Sequence, residues 1–214
     1  MTLFYYLETM IVKLLLFILV RREVRGKDNV PTEGPLIVVA NHLNIADPPI
    51  LSASLQRRIV YMAKEESFRH PVQGPLVRGF RAFPVRRGQL DRRALRWSQQ
   101  TLKDGLALGM FPEGTRSKTA TLQPARSGTA LIALRSGAPI LPVGITGTER
   151  VLGPGFLFGR VRIMVNIGEP FTLPPVDGNL TKAKLASATE VIMYRVAELL
   201  PESYRGVYGD RESR

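Results

Sequence analysis

Leu36-Ile37-Val38-Val39-Ala40 is followed directly by Asn41-His42, so a continuous apolar run ends abruptly in polar residues. A short run that is rich in β-branched side chains and lacks polar alternation predicts a strand buried on both faces. Residues 106–111 form a second apolar run, which leads into Pro112-Glu113-Gly114-Thr115-Arg116-Ser117. Both stretches are typical of parallel sheets that are covered by helices on either side.

Strand-like and helix-like segments alternate through the rest of the chain. Further strands are predicted at residues 58–63, 82–85, 140–145 and 161–167. Helices are predicted at residues 90–102, 127–135 and 181–200, and one more begins at Asp47, an N-cap residue followed by two prolines. This order predicts an α/β domain over residues 24–200, with a mostly parallel central sheet flanked by helices. Residues 201–214 are predicted to form a polar, loose C-terminal tail.

The chain is strongly basic. Its 214 residues include 30 Lys and Arg against 18 Asp and Glu, a formal net charge of +12, and seven arginines fall between residues 78 and 96. This balance predicts a polyanionic partner, such as nucleic acid, anionic lipid or an acidic carrier, although a basic surface that only aids solubility is the alternative. The chain has no cysteine, which excludes a cysteine nucleophile. No His or carboxylate cluster has metal-ligand spacing, so no metal is predicted.

The amino terminus is almost continuously apolar from residue 3 to residue 20, before Arg21 and Arg22. As a helix it would reach ~27 Å, slightly less than the ~30 Å hydrocarbon thickness of a bilayer. Glu8 and Lys13 lie within it, and each would cost roughly 2.5–3.5 kcal/mol at the bilayer centre. Residues 1–23 are therefore predicted to be a membrane-associated helix that lies in the interface or dips partway in. A signal peptide is disfavoured, because no basic segment precedes the run and no cleavage site follows it.

The polar residues after the first strand include a histidine and a carboxylate five residues apart. His42 leaves the strand and Asp47 begins the helix, so the turn between them can bring the carboxylate to the imidazole. Such a pair makes a base, because the carboxylate fixes the tautomer and stabilises the imidazolium after proton capture. A capping Asp near an ordinary loop histidine is the alternative. His70, the other histidine, lies in a stretch rich in Pro and Gly without a nearby strand end.

The polar residues after the second strand predict an anion site. Glu113, Gly114, Thr115, Arg116 and Ser117 follow each other in one turn, which offers backbone N–H groups, hydroxyls and a guanidinium to one anion. A surface turn is the alternative for this segment by itself. Ligands of open α/β sheets gather at the carboxyl ends of strands, so the two loops are expected to face one cleft.

Taken together, Asn-His-x4-Asp and, some seventy residues later, Phe-Pro-Glu-Gly-Thr-Arg-Ser closely resemble the glycerophospholipid acyltransferase family, best known from its 1-acyl-glycerol-3-phosphate acyltransferases. The segments 79–87 and 138–143 resemble the second and fourth sequence blocks of that family, and the resemblance covers roughly residues 24 to 170. It departs from the family at Pro84-Val85-Arg86, where many members have an acidic residue before the arginine. Arg126 and Ser127 also replace lysines common there.

The resemblance implies an enzyme in which His42 is the general base and Asp47 orients it. The acceptor hydroxyl would attack an acyl thioester directly, without an acyl-enzyme. Glu113, Gly114, Thr115 and Arg116 would bind the acceptor, with Arg86 assisting at its phosphate. Glu113 would orient Arg116 or the glycerol, since its carboxylate would repel phosphate. The donor would be acyl-CoA or acyl-carrier protein as a co-substrate, and no cofactor is expected.

The resemblance thus implies transfer of a fatty-acyl group to the sn-2 hydroxyl of 1-acyl-glycerol 3-phosphate. The apolar amino terminus predicts that this takes place at a membrane surface, on the cytoplasmic face of the cell membrane. Glycerol 3-phosphate, another lysophospholipid or a glycolipid is the alternative acceptor. A nucleic-acid binder is disfavoured, because the chain has no recognition motif and its apolar amino terminus would be unexplained. A non-catalytic lipid-binding relative would not need both His42 and Asp47. A serine hydrolase would need a Gly-x-Ser-x-Gly elbow, which is absent.

Overall fold

The computed structural model of the chain describes residues 20–71, 73–79, 82–85, 91–151, 153, 161–176 and 178–209. The strands of this part are β1 (Val20–Arg25), β2 (Leu36–Ala40), β3 (Ile59–Lys64), β4 (Phe83–Val85), β5 (Ala107–Met110), β6 (Ile140–Thr146) and β7 (Val161–Ile167). Its α-helices are α1 (Asp47–Leu55), α2 (Gln73–Gly79), α3 (Arg92–Lys103), α4 (Gly128–Ser136) and α5 (Lys182–Ala197).

The strands form one sheet in the order β1-β7-β6-β2-β5-β3-β4. All neighbours are parallel except β6 and β7, which run antiparallel. The prediction of a mostly parallel sheet is therefore confirmed. β2 lies near the middle, where Ile37 is opposite Leu108 of β5 and Ile140 of β6. Because parallel neighbours end at the same edge of a sheet, the loops that follow β2 and β5 lie side by side.

Helices cover both faces of the sheet. Ile37 and Val39 point to the face that packs against α3, α4 and α5, whereas Leu36, Val38 and Ala40 point to the face covered by α1. All five residues of β2 are fully buried. The prediction of a strand buried on both faces is confirmed, and the buried strand gives the loop after it a rigid base.

The amino-terminal prediction is corrected where it overlaps the described residues. Residues 20–23 of the predicted membrane-associated helix are part of β1, which pairs in parallel with β7 at the sheet edge. Four of the six residues of Val20-Arg-Arg-Glu-Val-Arg25 are charged, which does not suit an apolar helix and is typical of edge strands that charges protect from aggregation. Residues 1–19 lie outside the described residues. Within the described ranges, no helix has the length and apolar character needed to cross a bilayer.

The predicted loose tail is wrong for residues 201–209. Glu202–Tyr204 and Gly206–Tyr208 form two 3-10 turns, and the ring of Tyr208 is buried. The backbone of Leu122 donates to the Tyr204 carbonyl (N···O 2.9 Å), and the Tyr208 hydroxyl accepts from Ala125 N–H (3.0 Å). The tail is ordered because it packs against the segment that follows the second polar loop, a contact that its polar composition does not reveal.

Candidate active site

His42 and Asp47 meet at the carboxyl end of β2. The imidazole Nδ1 lies 2.8 Å from Asp47 Oδ2, and the carboxylate is completely buried while the imidazole side chain is 14% exposed. The two side chains therefore form the pair that the spacing predicted. The imidazole is the only one of the two with access to solvent.

Asp47 holds the whole turn as well as the imidazole. Its Oδ2 also accepts backbone N–H bonds from Leu43 (2.6 Å) and Asn44 (2.7 Å). The prediction that Asp47 caps α1 is wrong, because its side chain turns back to this loop and Ala46 occupies the N-cap position. An ionised carboxylate only accepts hydrogen bonds, so Nδ1 carries the proton and Nε2 of the neutral ring is left as the basic nitrogen.

Two asparagines fix the loop to neighbouring elements. The buried amide of Asn41 donates to the Ile145 carbonyl (2.8 Å) and accepts from Ile145 N–H (2.7 Å). These two side-chain hydrogen bonds continue the contact between β2 and β6 beyond their last backbone pair. Asn44 donates to the Val151 carbonyl (3.2 Å) and accepts from Ala46 N–H (3.1 Å). The position of His42 thus depends on contacts with residues that are far away in sequence.

The second polar loop holds both backbone groups of His42. Glu113 Oε1 accepts from His42 N–H (2.8 Å), and Ser117 N–H donates to the His42 carbonyl (2.8 Å). The other oxygen, Glu113 Oε2, accepts from Gln123 N–H (3.0 Å). The two predicted loops therefore form one structure, and Glu113 is a buried link between them rather than a group directed at Arg116.

Phe111 is a site residue that the sequence did not single out. Its ring stacks on the imidazole of His42, with centroids 4.3 Å apart and planes 24° from parallel. The stack covers one face of the imidazole while Asp47 binds its Nδ1, so the ring has two independent restraints. Phe111 follows directly on β5, and only the pairing of β5 with β2 could have indicated this contact.

Burial raises the pKa of Glu113 from its ordinary 4.5 to about 7, helped by the nearby charge of Asp47 and opposed by the N–H bonds from His42 and Gln123. The carboxyl group of Glu113 therefore stays protonated up to about pH 7 in the folded chain, whereas it loses its proton near pH 4.5 in the unfolded chain. Because the folded state binds more protons in this range, its stability falls as the pH rises through the range. The contribution of Glu113 to the free energy of unfolding is thus more favourable in mildly acidic solution than above pH 7.

We expect Glu113→Gln to remove this pH dependence. The free energy of unfolding of the wild type, relative to the variant, should fall by up to about 3 kcal/mol between about pH 4.5 and pH 8. Denaturant titrations of both proteins across this range measure the difference. A constant difference between the two proteins would contradict the raised pKa of Glu113.

The residues after Glu113 form an exposed turn. Gly114 has a left-handed φ of 69°, which glycine adopts without strain, and Thr115 and Arg116 are exposed. A Cβ at Gly114 would lie 3.0 Å from Nε of Arg126, so the side chain of Arg126 lies against the turn. Arg126 is thus a second guanidinium at this loop, which sequence reasoning treated only as a departure from the family. Arg86 lies outside the described residues.

Residues 21–146 match the model of the family described as Acyltransferase. This range includes both loops. The chain is 30% identical over 178 residues to the 1-acyl-sn-glycerol-3-phosphate acyltransferase of Bacillus subtilis, covering 83% of this chain and 87% of that protein. It is 30% identical over 174 residues to the protein of the same name from Streptococcus pneumoniae, covering 80% of this chain and 63% of that protein.

A solved structure shares the fold. The crystal structure of the 1-acyl-sn-glycerophosphate acyltransferase of Thermotoga maritima is similar with a TM-score of 0.71 at 29% sequence identity. The similarity covers 91% of this chain and 79% of that chain. The sequence and structure comparisons therefore indicate the same family that the sequences of the two loops resemble.

Proposed function

The chain belongs to the acyltransferase family, and on this premise we propose that it transfers a fatty-acyl group to the sn-2 hydroxyl of 1-acyl-glycerol 3-phosphate, giving phosphatidic acid. The observation that carries the proposal is the 2.8 Å contact between His42 Nδ1 and a fully buried Asp47. It leaves Nε2 as a base at the edge of the sheet where substrates of α/β proteins bind. The names of the relatives support the choice of acceptor.

The proposed reaction is a direct transfer. His42 Nε2 takes the proton of the acceptor hydroxyl as its oxygen attacks the thioester carbonyl of the donor. The tetrahedral intermediate then collapses, the carbon–sulfur bond breaks, and the thiolate leaving group takes the proton from the imidazolium. Asp47 stabilises the imidazolium between these steps. The chain has no cysteine to form a thioester intermediate of its own.

The acceptor phosphate is proposed to bind at the exposed turn of the second loop. Gly114, Thr115 and Arg116 offer a backbone N–H, a hydroxyl and a guanidinium, and Arg126 lies against the same turn. Arg86 remains a proposed phosphate ligand from the family resemblance. Glu113 acts differently from the prediction, because its carboxylate is bound to backbone N–H groups and positions the loop.

We expect Arg116→Ala to raise the KM for the acceptor. Loss of one charge-assisted hydrogen bond costs about 1.5–3 kcal/mol, which corresponds to roughly a 10- to 100-fold change in KM. Initial rates at varied acceptor concentration measure it. The matched control is Arg135→Ala, an exposed arginine in the last turn of α4. Equal KM values for the two variants would contradict a role of Arg116 in phosphate binding.

The donor and the place of reaction are further parts of the proposal. An acyl thioester of CoA or of acyl-carrier protein serves as co-substrate, and the thioester supplies all the activation that the reaction needs. The apolar run of residues 3–20 leads directly into β1, which begins at Val20. This run supports attachment to a membrane, at the cytoplasmic face where these donors occur, and this would place the domain beside the lipid acceptor.

The test is acyl transfer by the membrane-bound protein with mass-spectrometric detection. The donors are a mixture of acyl-CoA chain lengths and, separately, acyl-carrier protein; the acceptors are lysophosphatidic acid, glycerol 3-phosphate and other lysolipids. Phosphatidic acid formed from lysophosphatidic acid is the expected product. Product from another acceptor would keep the mechanism but replace the substrate, and no product from any acceptor would overturn the proposal.

A further inference from the structure

The exposed face of α3 is strongly cationic. Arg92, Arg93, Arg96 and Lys103 are all exposed on this helix. Among the described residues, no carboxylate lies within ion-pair distance of the three arginines. Asp91 caps the helix by accepting N–H bonds from Arg93 and Ala94. The three arginines therefore form a cationic patch with no partner of opposite charge in the described part of the fold.

The position of these arginines does not help the helix. All three lie in the first five residues of α3, where the helix dipole is positive and favours anions. Cations at this end are repelled by the dipole and by each other. An anion outside the chain is the partner that would turn this arrangement into a favourable one.

Trp97 adds an apolar group to the patch. It is 40% exposed and is the large apolar side chain that α3 presents to solvent. Its ring packs edge-on against the buried Phe83, with centroids 5.3 Å apart. The guanidinium of Arg93 lies 5.1 Å from the centre of the indole. The ring is thus held in place by the core on one side and bordered by a cation on the other.

The patch lies beyond the carboxyl ends of the parallel strands, as the candidate site does. α3 follows β4, and β4, β3, β5 and β2 are parallel neighbours. The amino-terminal end of α3 therefore starts on the edge where β2 ends in His42. Arg92, Arg93, Arg96 and Trp97 are on this end of the helix, whereas Lys103 is at the opposite end. A surface that binds the patch would also face the site.

We propose that Arg92, Arg93, Arg96 and Trp97 form a binding surface for anionic phospholipid headgroups. Arginines bind headgroup phosphates. An indole that packs on the core through one side and is open to solvent on the other is suited to the membrane interface. An acidic protein would need an apolar interface core of several residues, and Trp97 is alone in this respect on α3 among the described large apolar residues. The choice of phospholipid as the partner rests on the proposed function at a membrane, and it adds a membrane-binding surface to that function.

The chain contains a single tryptophan, so its fluorescence reports on this patch alone. Full-length protein is mixed with phosphatidylcholine vesicles that contain or lack phosphatidylglycerol, with and without brominated acyl chains. We expect a blue shift of Trp97 emission and quenching by the brominated lipid only when phosphatidylglycerol is present. Both should weaken at high salt. Anchoring by residues 3–20 would act on both kinds of vesicle, so the difference in Trp97 emission between vesicles with and without phosphatidylglycerol is the readout of the patch.

The variant that tests the charges is Arg92→Gln, Arg93→Gln and Arg96→Gln combined. Each charge contributes roughly a fivefold change in lipid affinity, so the triple variant should bind anionic vesicles about 100-fold more weakly through this patch. The control removes three exposed charges elsewhere, with Arg135→Gln, Arg162→Gln and Lys182→Gln. The control should keep the emission shift of the wild type.

Three results would overturn the proposal. The first is equal quenching of Trp97 emission by vesicles with and without phosphatidylglycerol. The second is an equal loss of binding to anionic vesicles in the two triple variants. The third is a change of Trp97 emission with acyl-carrier protein but not with anionic vesicles. None of these depends on turnover. Acyl transfer by the wild type without the Trp97 response would overturn only this inference. The response without acyl transfer would overturn only the proposed function.

Discussion

The His42→Ala variant is expected to lose about two to four orders of magnitude in kcat, the range that a positioned general base contributes. The chain should still fold, because the contacts that hold residue 42 to Glu113 and Ser117 use its backbone N–H and carbonyl. Alanine keeps both. The substitution therefore removes the proposed base and its stack on Phe111 while the two loops stay joined.

Steady-state acyl transfer by purified His42→Ala protein measures the loss, and a thermal unfolding curve checks the fold. His70→Ala is the matched control, since His70 is the other histidine of the chain and is exposed. It should retain the activity of the wild type. A His42→Ala protein with more than about a tenth of wild-type kcat would show that another group removes the hydroxyl proton.

The Asp47→Asn variant is expected to lose about two to four orders of magnitude in kcat while its KM values change little. An amide can still accept the N–H groups of Leu43 and Asn44, but it carries no charge to stabilise the imidazolium and does not fix the tautomer. Its NH2 group would also be buried where Asp47 Oδ1 has no partner among the described residues. We therefore expect a loss of stability of about 1–3 kcal/mol as well.

The double variant His42→Ala/Asp47→Asn distinguishes this role from a structural one. If Asp47 acts on catalysis through His42, the double variant should have nearly the kcat of His42→Ala alone, because the two residues act as a unit. Losses that multiply would indicate that Asp47 contributes separately. Denaturant titration of the same variants gives the stability effect independently of turnover.

Much of the sheet could be predicted from the sequence, because its strands are short apolar runs bounded by polar residues. β2 has the predicted bounds, and β5 begins and ends within one residue of its predicted run. The reversed direction of β7 could not be predicted, since a strand's own residues do not indicate the direction of its neighbour. α2 was missed because Gly74 and Pro75 disfavour a helix in isolation.

The site was predictable to the extent that its contacts are local. His42 and Asp47 are five residues apart, so their spacing and the family resemblance were enough to pair them. Phe111, Glu113 and Arg126 reach the site through the pairing of β2 with β5 and through the return of the chain after the second loop. Their contacts depend on the fold, and no periodicity of the sequence carries that information.

The pairing of β1 with β7 has a consequence for biosynthesis. Val161 follows Val20 by about 140 residues, so at roughly 5–20 residues per second the edge strand emerges about 7–28 s before its partner. During this interval its backbone donors and acceptors are open to other nascent chains. Arg21, Arg22, Glu23 and Arg25 give this strand the charges that prevent such aggregation. We therefore expect the same four side chains to protect the unfinished chain on the ribosome before the strand acquires its place in the sheet.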